Sequence, residues 1–288
     1  MIDSIKNDLR YHFRHGGMIS KLLIINIGVF ILIMMLRVIL FILGGGQIPS
    51  FYHTITNGLS LGNTWKLVLF RPWTVITHMF LHLTFFHILI NMLYLFWFGR
   101  VLENLLGPRK ILNTYIISGL MGALLFFIFS GLLYDGRVFA LGASAAVMGI
   151  AVAAATMAPD HVFQLLFIGR VKLKYIVLFL VILDFIMIPA MSNSGGHIAH
   201  LGGALMGHFY IRLLYKGIDL GEINLKPKIK RPEFKVYVNE DKKAERTARY
   251  TSMDDQARID EILDKIREEG YENLTQAEKD FLYEASKK

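Results

Sequence analysis

Six long apolar blocks dominate the sequence, and they restrict its fold more than any other feature. A helix needs about 20 apolar residues to cross a bilayer, and its backbone groups must be hydrogen-bonded internally because lipid offers no partners. The blocks therefore predict six membrane-spanning helices. The first is longer than the core of a signal peptide, so it is predicted to be a retained helix. The blocks lie at residues 19–43, 78–98, 111–133, 143–158, 173–190 and 197–215.

Basic residues predict the orientation of these helices, since Lys and Arg in short flanking loops stay on the cytoplasmic side. They cluster before the first block and after the second, fourth and sixth blocks. Both termini are therefore predicted to be cytoplasmic, with residues 44–73, 134–141 and 191–196 facing outward. This topology accounts for the net charge of +8, so no nucleic acid is expected as a partner. The chain has no cysteine, which excludes thiolate catalysis.

Composition divides the chain into four parts. We predict a cytoplasmic N-terminal segment at 1–18, a membrane domain at 19–216, a linker at 217–251 and a cytoplasmic helical hairpin at 252–288. Within the hairpin, Gly270 can end the first helix, and Thr275 with Glu278 forms a capping box for the second. We assign the hairpin to regulation or to contact with a cytoplasmic partner.

The outward segment 47–72 is too apolar for a solvated loop. Two interpretations of it remain open. The segment either lies in the membrane interface as short amphipathic helices, or it packs as a partly buried loop.

Polar side chains inside apolar helices cost free energy and therefore indicate function. Ser144 begins a helix after Gly142, where backbone N–H groups without helical partners can stabilise an oxyanion. His200 opens the sixth block, and Gly203 and Gly207, one turn apart, permit close packing against small residues of the fourth block. Such packing can bring the Ser144 hydroxyl within hydrogen-bonding reach of the His200 imidazole.

Other polar residues are predicted to assist this pair. His87 and Asn91 lie four residues apart on one helix face and can donate hydrogen bonds to the same oxyanion. His82 is predicted to order the outward loop rather than to react. Asp184 is a lone carboxylate in the fifth block, and no sequence feature brings it to His200, so we predict a Ser–His dyad without it.

Two other classes of protein are less consistent with the sequence. His78 and His82 have helical spacing, but no carboxylate completes a catalytic zinc site beside them, so no metal and no cofactor are expected. His197 is predicted to be a surface residue near the helix end. A transporter would use intramembrane His and Asn to relay protons, yet no inverted repeat is visible.

These residues together resemble the rhomboid family of intramembrane serine proteases, bacterial type, over about residues 70–216. Each motif is common alone, but their joint order is specific. The resemblance implies an all-α, six-transmembrane-helix bundle, here followed by an extra cytoplasmic helical hairpin. It implies Ser144 and His200 as the catalytic dyad, and His87, Asn91 and the Ser144 amide as oxyanion donors. The matching motifs are His82 with His87 and Asn91, Gly99-Arg100 with Glu103, Gly142 with Ser144, and His200 with Gly203.

By this resemblance the chain hydrolyses peptide bonds in or near the transmembrane segments of membrane protein substrates, within a bacterial inner (cell) membrane. Three positions depart from the family pattern: Ala145 replaces a frequent Gly, Thr74 follows Trp73 where Arg is common, and Met148 replaces an aromatic residue. An alternative is a catalytically inactive rhomboid-like protein that binds and escorts transmembrane helices. Such a protein is expected to lack the serine or the histidine, and both are present.

Overall fold

The computed structural model describes residues 2–166, 168–190, 193–222 and 240–286. The chain divides into two compact units, with the boundary between Asn224 and Leu225. Part of the predicted linker lies outside the described residues, and a helix begins at Glu240, inside the range assigned to that linker.

The first unit is mainly helical, as the apolar blocks predict. Short antiparallel strand pairs, β1 with β2 and β3 with β4, connect parts of it. The strands are β1 (Leu61–Gly62), β2 (Phe139–Ala140), β3 (Val162–Leu165) and β4 (Gly169–Lys172). The helices are α1 (Ile2–His15), α2 (Met18–Leu43), α3 (Ser50–Leu59), α4 (Trp65–Phe70), α5 (Thr74–Thr77), α6 (Phe85–Leu106), α7 (Pro108–Leu133), α8 (Ser144–Met157), α9 (Leu173–Met187) and α10 (Ser194–Tyr215).

In the described part of the chain, α2, α6 and α7 are long and apolar enough to cross a membrane. Helix α8 is apolar but has 14 residues, and α9 has 15. Helix α10 reaches 22 residues but includes three histidines. The fold is thus an all-α membrane bundle with one main helix at each apolar block, and the orientation of its termini stays a prediction.

The second block was placed too early along the chain. A helix was predicted at 78–98, whereas α6 runs from Phe85 to Leu106. Residues His78–Phe80 form a 3-10 turn, followed by an extended segment whose His82 side chain is fully buried. A buried loop is as apolar as a buried helix, so composition did not distinguish the two. At the other end, Gly107 has a φ of +79° and ends the helix.

Glu103, near the end of α6, caps another helix. Its Oε1 accepts a hydrogen bond from the Ile19 N–H at 3.1 Å, in the first turn of α2. A Cβ on Gly17 would overlap this carboxylate, so the glycine makes room for it. A carboxylate at a helix N-terminus pairs both with free N–H groups and with the positive end of the helix dipole.

Helices α8 and α10 pack through glycines, as their small faces predict. A Cβ on Gly203 would overlap the carbonyl oxygen of Ala145, and a Cβ on Gly207 would overlap that of Gly149. The two backbones are therefore in direct contact over one helical turn. This contact fixes the distance between the first turn of α8 and the first half of α10.

Gly203→Ala is expected to force α8 and α10 apart. Overpacking of this kind lowers the free energy of unfolding by about 1–3 kcal/mol, and separation of the helices also moves His200. The midpoint of thermal unfolding in detergent and the cleavage rate are both expected to fall. Gly131→Ala in α7 is the matched control, because a Cβ there meets nothing within 4 Å. An unchanged midpoint in the Gly203 variant would contradict this close packing.

The segment 47–72, which is predicted to face outward, contains the short helices α3 and α4. Tyr52 is buried on α3, while large apolar side chains on both helices are exposed. A segment with one buried face and one exposed apolar face fits the prediction of interfacial helices, and its position in a membrane stays a prediction. The exposed residues are Phe51, Trp65, Leu69 and Phe70.

The second unit is described from helix α11 (Glu240–Glu269) to helix α12 (Gln276–Ala285). Gly270, with a φ of +85°, follows α11, as predicted. The capping box is confirmed: Glu278 accepts from the Thr275 N–H and hydroxyl, each at 2.7 Å, and its own N–H donates to Thr275 Oγ1. Lys265 Nζ of α11 lies 2.9 Å from Glu278 Oε1 and joins the two helices.

This cap is expected to weaken in acid. Hydrogen bonds from Lys265 and then from Thr275 lower the pKa of Glu278 from 4.5 to about 2. Because the folded pKa is depressed, the stabilisation is complete above about pH 4.5 and is lost as the pH falls toward 2. The protection of α12 amides from hydrogen exchange, expressed relative to the intrinsic exchange rate at each pH, is expected to fall over that range in the full chain, and Glu278→Gln is expected to remove this pH dependence. Equal protection of α12 in the unmodified chain at pH 5 and pH 2.5 would contradict the expectation.

Candidate active site

Ser144 is held at the start of α8 by the loop that precedes it. Strand β2 in this loop pairs with β1, placing Ala140 opposite Leu61. The Gly142 N–H donates to the His78 carbonyl at 2.8 Å, and the Ala143 N–H donates to His82 Nε2 at 3.3 Å. His82 therefore orders this loop, in agreement with its predicted supporting role.

The structure brings the two residues of the predicted dyad into contact. Ser144 Oγ lies 2.6 Å from His200 Nε2. The residues are 56 positions apart in the chain, and the glycine contact between α8 and α10 joins them. Both side chains are partly exposed, so a substrate and water can reach them.

Asp184 completes this chain of hydrogen bonds, so the expectation that it lies away from His200 was wrong, while the prediction of a dyad that works without it stays a prediction. Its Oδ1 lies 2.8 Å from His200 Nδ1. An ionised carboxylate only accepts hydrogen bonds, so Nδ1 of His200 carries the proton. Nε2 is then free to accept from the Ser144 hydroxyl, as required of a general base.

His197 was predicted to be a surface residue, but it shares the same carboxylate oxygen. Its Nδ1 lies 2.7 Å from Asp184 Oδ1, and its side chain is 18% exposed. The sequence contained a signal for the similar depth of Asp184, His197 and His200, but none for the helix rotation that brings them into contact. Asp184 precedes the short 191–196 loop by about two helical turns, and His197 and His200 follow it within two turns. Antiparallel helices joined by a short loop bring such positions to similar depths.

The predicted oxyanion residues line the same site. His87 packs against Gly142, where a Cβ would lie 2.6 Å from the His87 Cε1 atom. Gly142 also has a φ of +117°, which L side chains rarely adopt. The Asn91 amide donates one hydrogen bond to the His87 carbonyl at 2.8 Å, and its second N–H remains available as a donor. The backbone N–H of Ser144, in the first turn of α8, lacks a helical partner.

These groups surround a cavity of about 920 Å³. Such a volume is large enough for several side chains of an extended peptide. Met148 lines the cavity one turn beyond the serine. Ala145 fits because it faces a glycine: a Cβ on Gly122 would lie 2.5 Å from the Ala145 Cβ. The cavity is lined by His87, Asn91, Gly142, Ser144, Asp184 and His200, together with Phe86, Ile90, Tyr94, Leu180 and Leu183.

Curated relatives of this chain include several rhomboid-like proteins. It is 28% identical over 176 residues to the human "Presenilin-associated rhomboid-like protein, mitochondrial", covering 57% of this chain and 43% of that protein. It is 28% identical over 160 residues to "RHOMBOID-like protein 12, mitochondrial" of Arabidopsis thaliana, covering 51% and 48%. A shorter match, 35% over 81 residues, is to "Rhomboid-like protease 3" of Toxoplasma gondii, covering 28% and 29%. The chain thus spans less than half the length of these relatives.

Two family models match separate parts of the chain. A family of unknown function, DUF6576, matches residues 248–288, which include α12 and most of α11. The Rhomboid domain matches residues 69–217, just over half of the chain. That range contains Ser144, His200 and the glycines that join their helices. On the strength of this match, the chain belongs to the rhomboid family.

Proposed function

We propose that the chain is an intramembrane serine endopeptidase that cleaves peptide bonds in or near transmembrane segments. The observation that carries this proposal is the 2.6 Å contact between Ser144 Oγ and His200 Nε2 beside a large cavity. A serine is a weak nucleophile until a base accepts its proton. Asp184 adds to the argument, because it holds the imidazole in the tautomer that can accept.

In the proposed reaction, His200 Nε2 takes the Ser144 proton as Oγ attacks the substrate carbonyl. The oxyanion receives hydrogen bonds from the Ser144 N–H and from His87 and Asn91. The protonated imidazole then donates to the leaving amine, and an acyl-enzyme forms. Water attacks this ester with His200 again as base, and Ser144 regains its proton.

The alternative is an inactive rhomboid-like protein that binds and escorts transmembrane helices. The same cavity would also suit such a protein, because an unwound transmembrane helix needs the same space whether or not it is cleaved. The Ser144, His200 and Asp184 contacts favour hydrolysis, since binding alone needs none of them. Among the relatives, the Toxoplasma gondii protein is named a rhomboid-like protease, and the human mitochondrial protein is named only rhomboid-like.

We propose that the protein acts within a bilayer on single-span or multi-span membrane proteins. The compartment is open to two proposals. Charge distribution predicts a bacterial inner membrane with both termini cytoplasmic, whereas several relatives are named mitochondrial. Residues 248–288 match a family of unknown function. We therefore keep the proposal that the C-terminal hairpin contacts a regulatory partner.

The test is covalent labelling with a serine-directed fluorophosphonate probe in detergent or liposomes, followed by mass spectrometry of the adduct. We expect one adduct on the peptide that contains Ser144, and none after heat denaturation. Ser50→Ala, which removes an exposed serine at the start of α3, is expected to label normally. Absence of an adduct, or an adduct on a different serine, would decide against the protease and for the escort.

A further inference from the structure

Asp184, His197 and His200 form a cluster with the composition of a metal site. Both histidines present Nδ1 to one carboxylate oxygen, at 2.7 and 2.8 Å, and the three ligand atoms lie within 4.8 Å of one another. The histidines are three residues apart on α10, so they share a helix face. Two imidazoles and a carboxylate are a familiar ligand set for first-row transition metals.

We propose that Asp184, His197 and His200 bind Zn²⁺, and that the bound ion reversibly switches off the Ser144–His200 pair. The regulatory half of this proposal rests on the proposed protease function, whereas the binding half does not. The sequence predicted no metal site because these residues lie on two helices, and only the fold brings them together.

The geometry suits zinc with small adjustments. Zinc takes three protein ligands and one water in a tetrahedron, with Zn–N and Zn–O distances of about 2.0–2.2 Å. Ligand atoms at those distances lie about 3.3 Å from each other. Each N···O distance of the cluster therefore has to open by about half an ångström, and the two Nδ1 atoms, which lie within 4.8 Å of each other, have to come to about 3.3 Å.

Charge and access also favour a transition-metal dication. The Asp184 carboxylate faces two imidazoles, a combination that suits zinc and that does not suit Mg²⁺ and Ca²⁺, which prefer oxygen ligands. Asp184 and His200 line the 920 Å³ cavity, so an ion can enter from there. The side chains of His197 and His200 are 18% and 20% exposed, which leaves them accessible for ligation.

Zinc bound to Nδ1 of His200 would change Nε2 of the same ring from a hydrogen-bond acceptor into a donor. A metal needs the lone pair of Nδ1, so the proton of the neutral ring moves to Nε2. Nε2–H then donates to Ser144 Oγ and no longer accepts its proton. The Nδ1–H bond is broken and an Nε2–H bond is formed, so no net proton is released, and the general base is lost for as long as the ion stays.

Binding is tested first, without reference to activity. The full chain carrying Ser144→Ala is titrated with Co²⁺, which reports tetrahedral nitrogen and oxygen ligation by visible absorption, and Zn²⁺ is then added to displace it. We expect one saturable site, no competition by Mg²⁺, and loss of the bands in a chain that also carries His197→Gln. His208→Gln is the matched control, because His208 lies on the same helix but contacts Thr156. Absence of the bands, or their persistence without His197, would overturn the proposal.

Inhibition is tested second, on the chain with Ser144 intact. Zn²⁺ is expected to block both substrate cleavage and probe labelling, and EDTA to restore them. Each chain is compared with its own rate in EDTA, and His197→Gln is expected to need more than about 100-fold more zinc for the same fractional inhibition, since even lost outer-shell partners cost 10–100-fold in affinity. Equal inhibition of the His197→Gln and unmodified chains would overturn the proposal. A chain that binds Co²⁺ at this cluster but is never labelled would instead contradict the protease function alone.

Discussion

Ser144→Ala is expected to abolish cleavage of a single-span substrate and to leave the fold intact. Removal of the nucleophile from a serine protease costs at least about 10⁴-fold in rate, because no other group can form the acyl-enzyme. His200→Ala is expected to do the same, and the double variant to lose no more, because the two residues act as one unit. The fold tolerates the Ser144 change, since alanine has the highest helix propensity and the described contact of Ser144 Oγ is to His200.

The measurement is the initial rate of cleavage of a labelled transmembrane substrate in liposomes, with the thermal midpoint recorded for each variant. Ser50→Ala is the control, because it deletes an exposed hydroxyl outside the cavity. Undiminished cleavage by the Ser144 variant would remove the proposed nucleophile. A large fall in the thermal midpoint would instead assign Ser144 a structural role.

Asp184→Asn is expected to lower kcat by about 10²–10⁴-fold, with a much smaller change in KM. An asparagine amide can donate to His200 Nδ1, which stabilises the tautomer whose Nε2–H faces the serine. The same substitution in a serine protease triad leaves the geometry intact and removes most of the rate through the wrong tautomer. A dyad without Asp184 predicts nearly full activity, so this variant separates the two hypotheses.

Asp160→Asn is the matched control for this change. Asp160 precedes β3 and accepts from Lys172 and Lys174, each at 2.9 Å, outside the cavity. We expect its kcat to stay within a few-fold of the unmodified chain. Asp184→Glu keeps a carboxylate and is expected to recover part of the rate. Equal kcat in Asp184→Asn and Asp160→Asn would show that Asp184 does not act on His200.

Much of the membrane bundle was predictable because a helix that spans a membrane needs a long run of apolar residues, which the sequence shows directly. An apolar block of sufficient length has to be a helix in lipid, so α2 and α7 begin and end within a few residues of their predicted positions. The start of α6 was predicted wrongly because an apolar block does not distinguish a helix from a buried loop. His78, Met79, Leu81 and His82 are buried before the α-helix begins, and composition reports burial rather than helix.

The contact between Ser144 and His200 was predictable because small residues in a sequence indicate where two helices pack closely. Gly203 and Gly207 place no side chain between α10 and α8. In the sequence, this close contact is indicated by two glycines that are four residues apart. Given that contact, a serine at the start of one helix and a histidine near the start of the other are expected to meet. The pairing of β1 with β2, which holds the loop before Ser144, involves two residues on each strand and leaves no periodic signal.

What the sequence determined by itself was therefore a membrane-embedded helical bundle, the contact between the proposed nucleophile and base, and the capped hairpin after it. These follow from local rules of burial, residue size and helix capping. What only the tertiary structure decided was the partner of the base. Asp184 could have faced lipid, a neighbouring helix or His200. A single carboxylate on an apolar helix forms no periodic pattern from which the direction of its side chain could be predicted. The rotation of α9 against α10 placed Asp184 2.8 Å from His200, and that rotation depends on how the whole bundle packs.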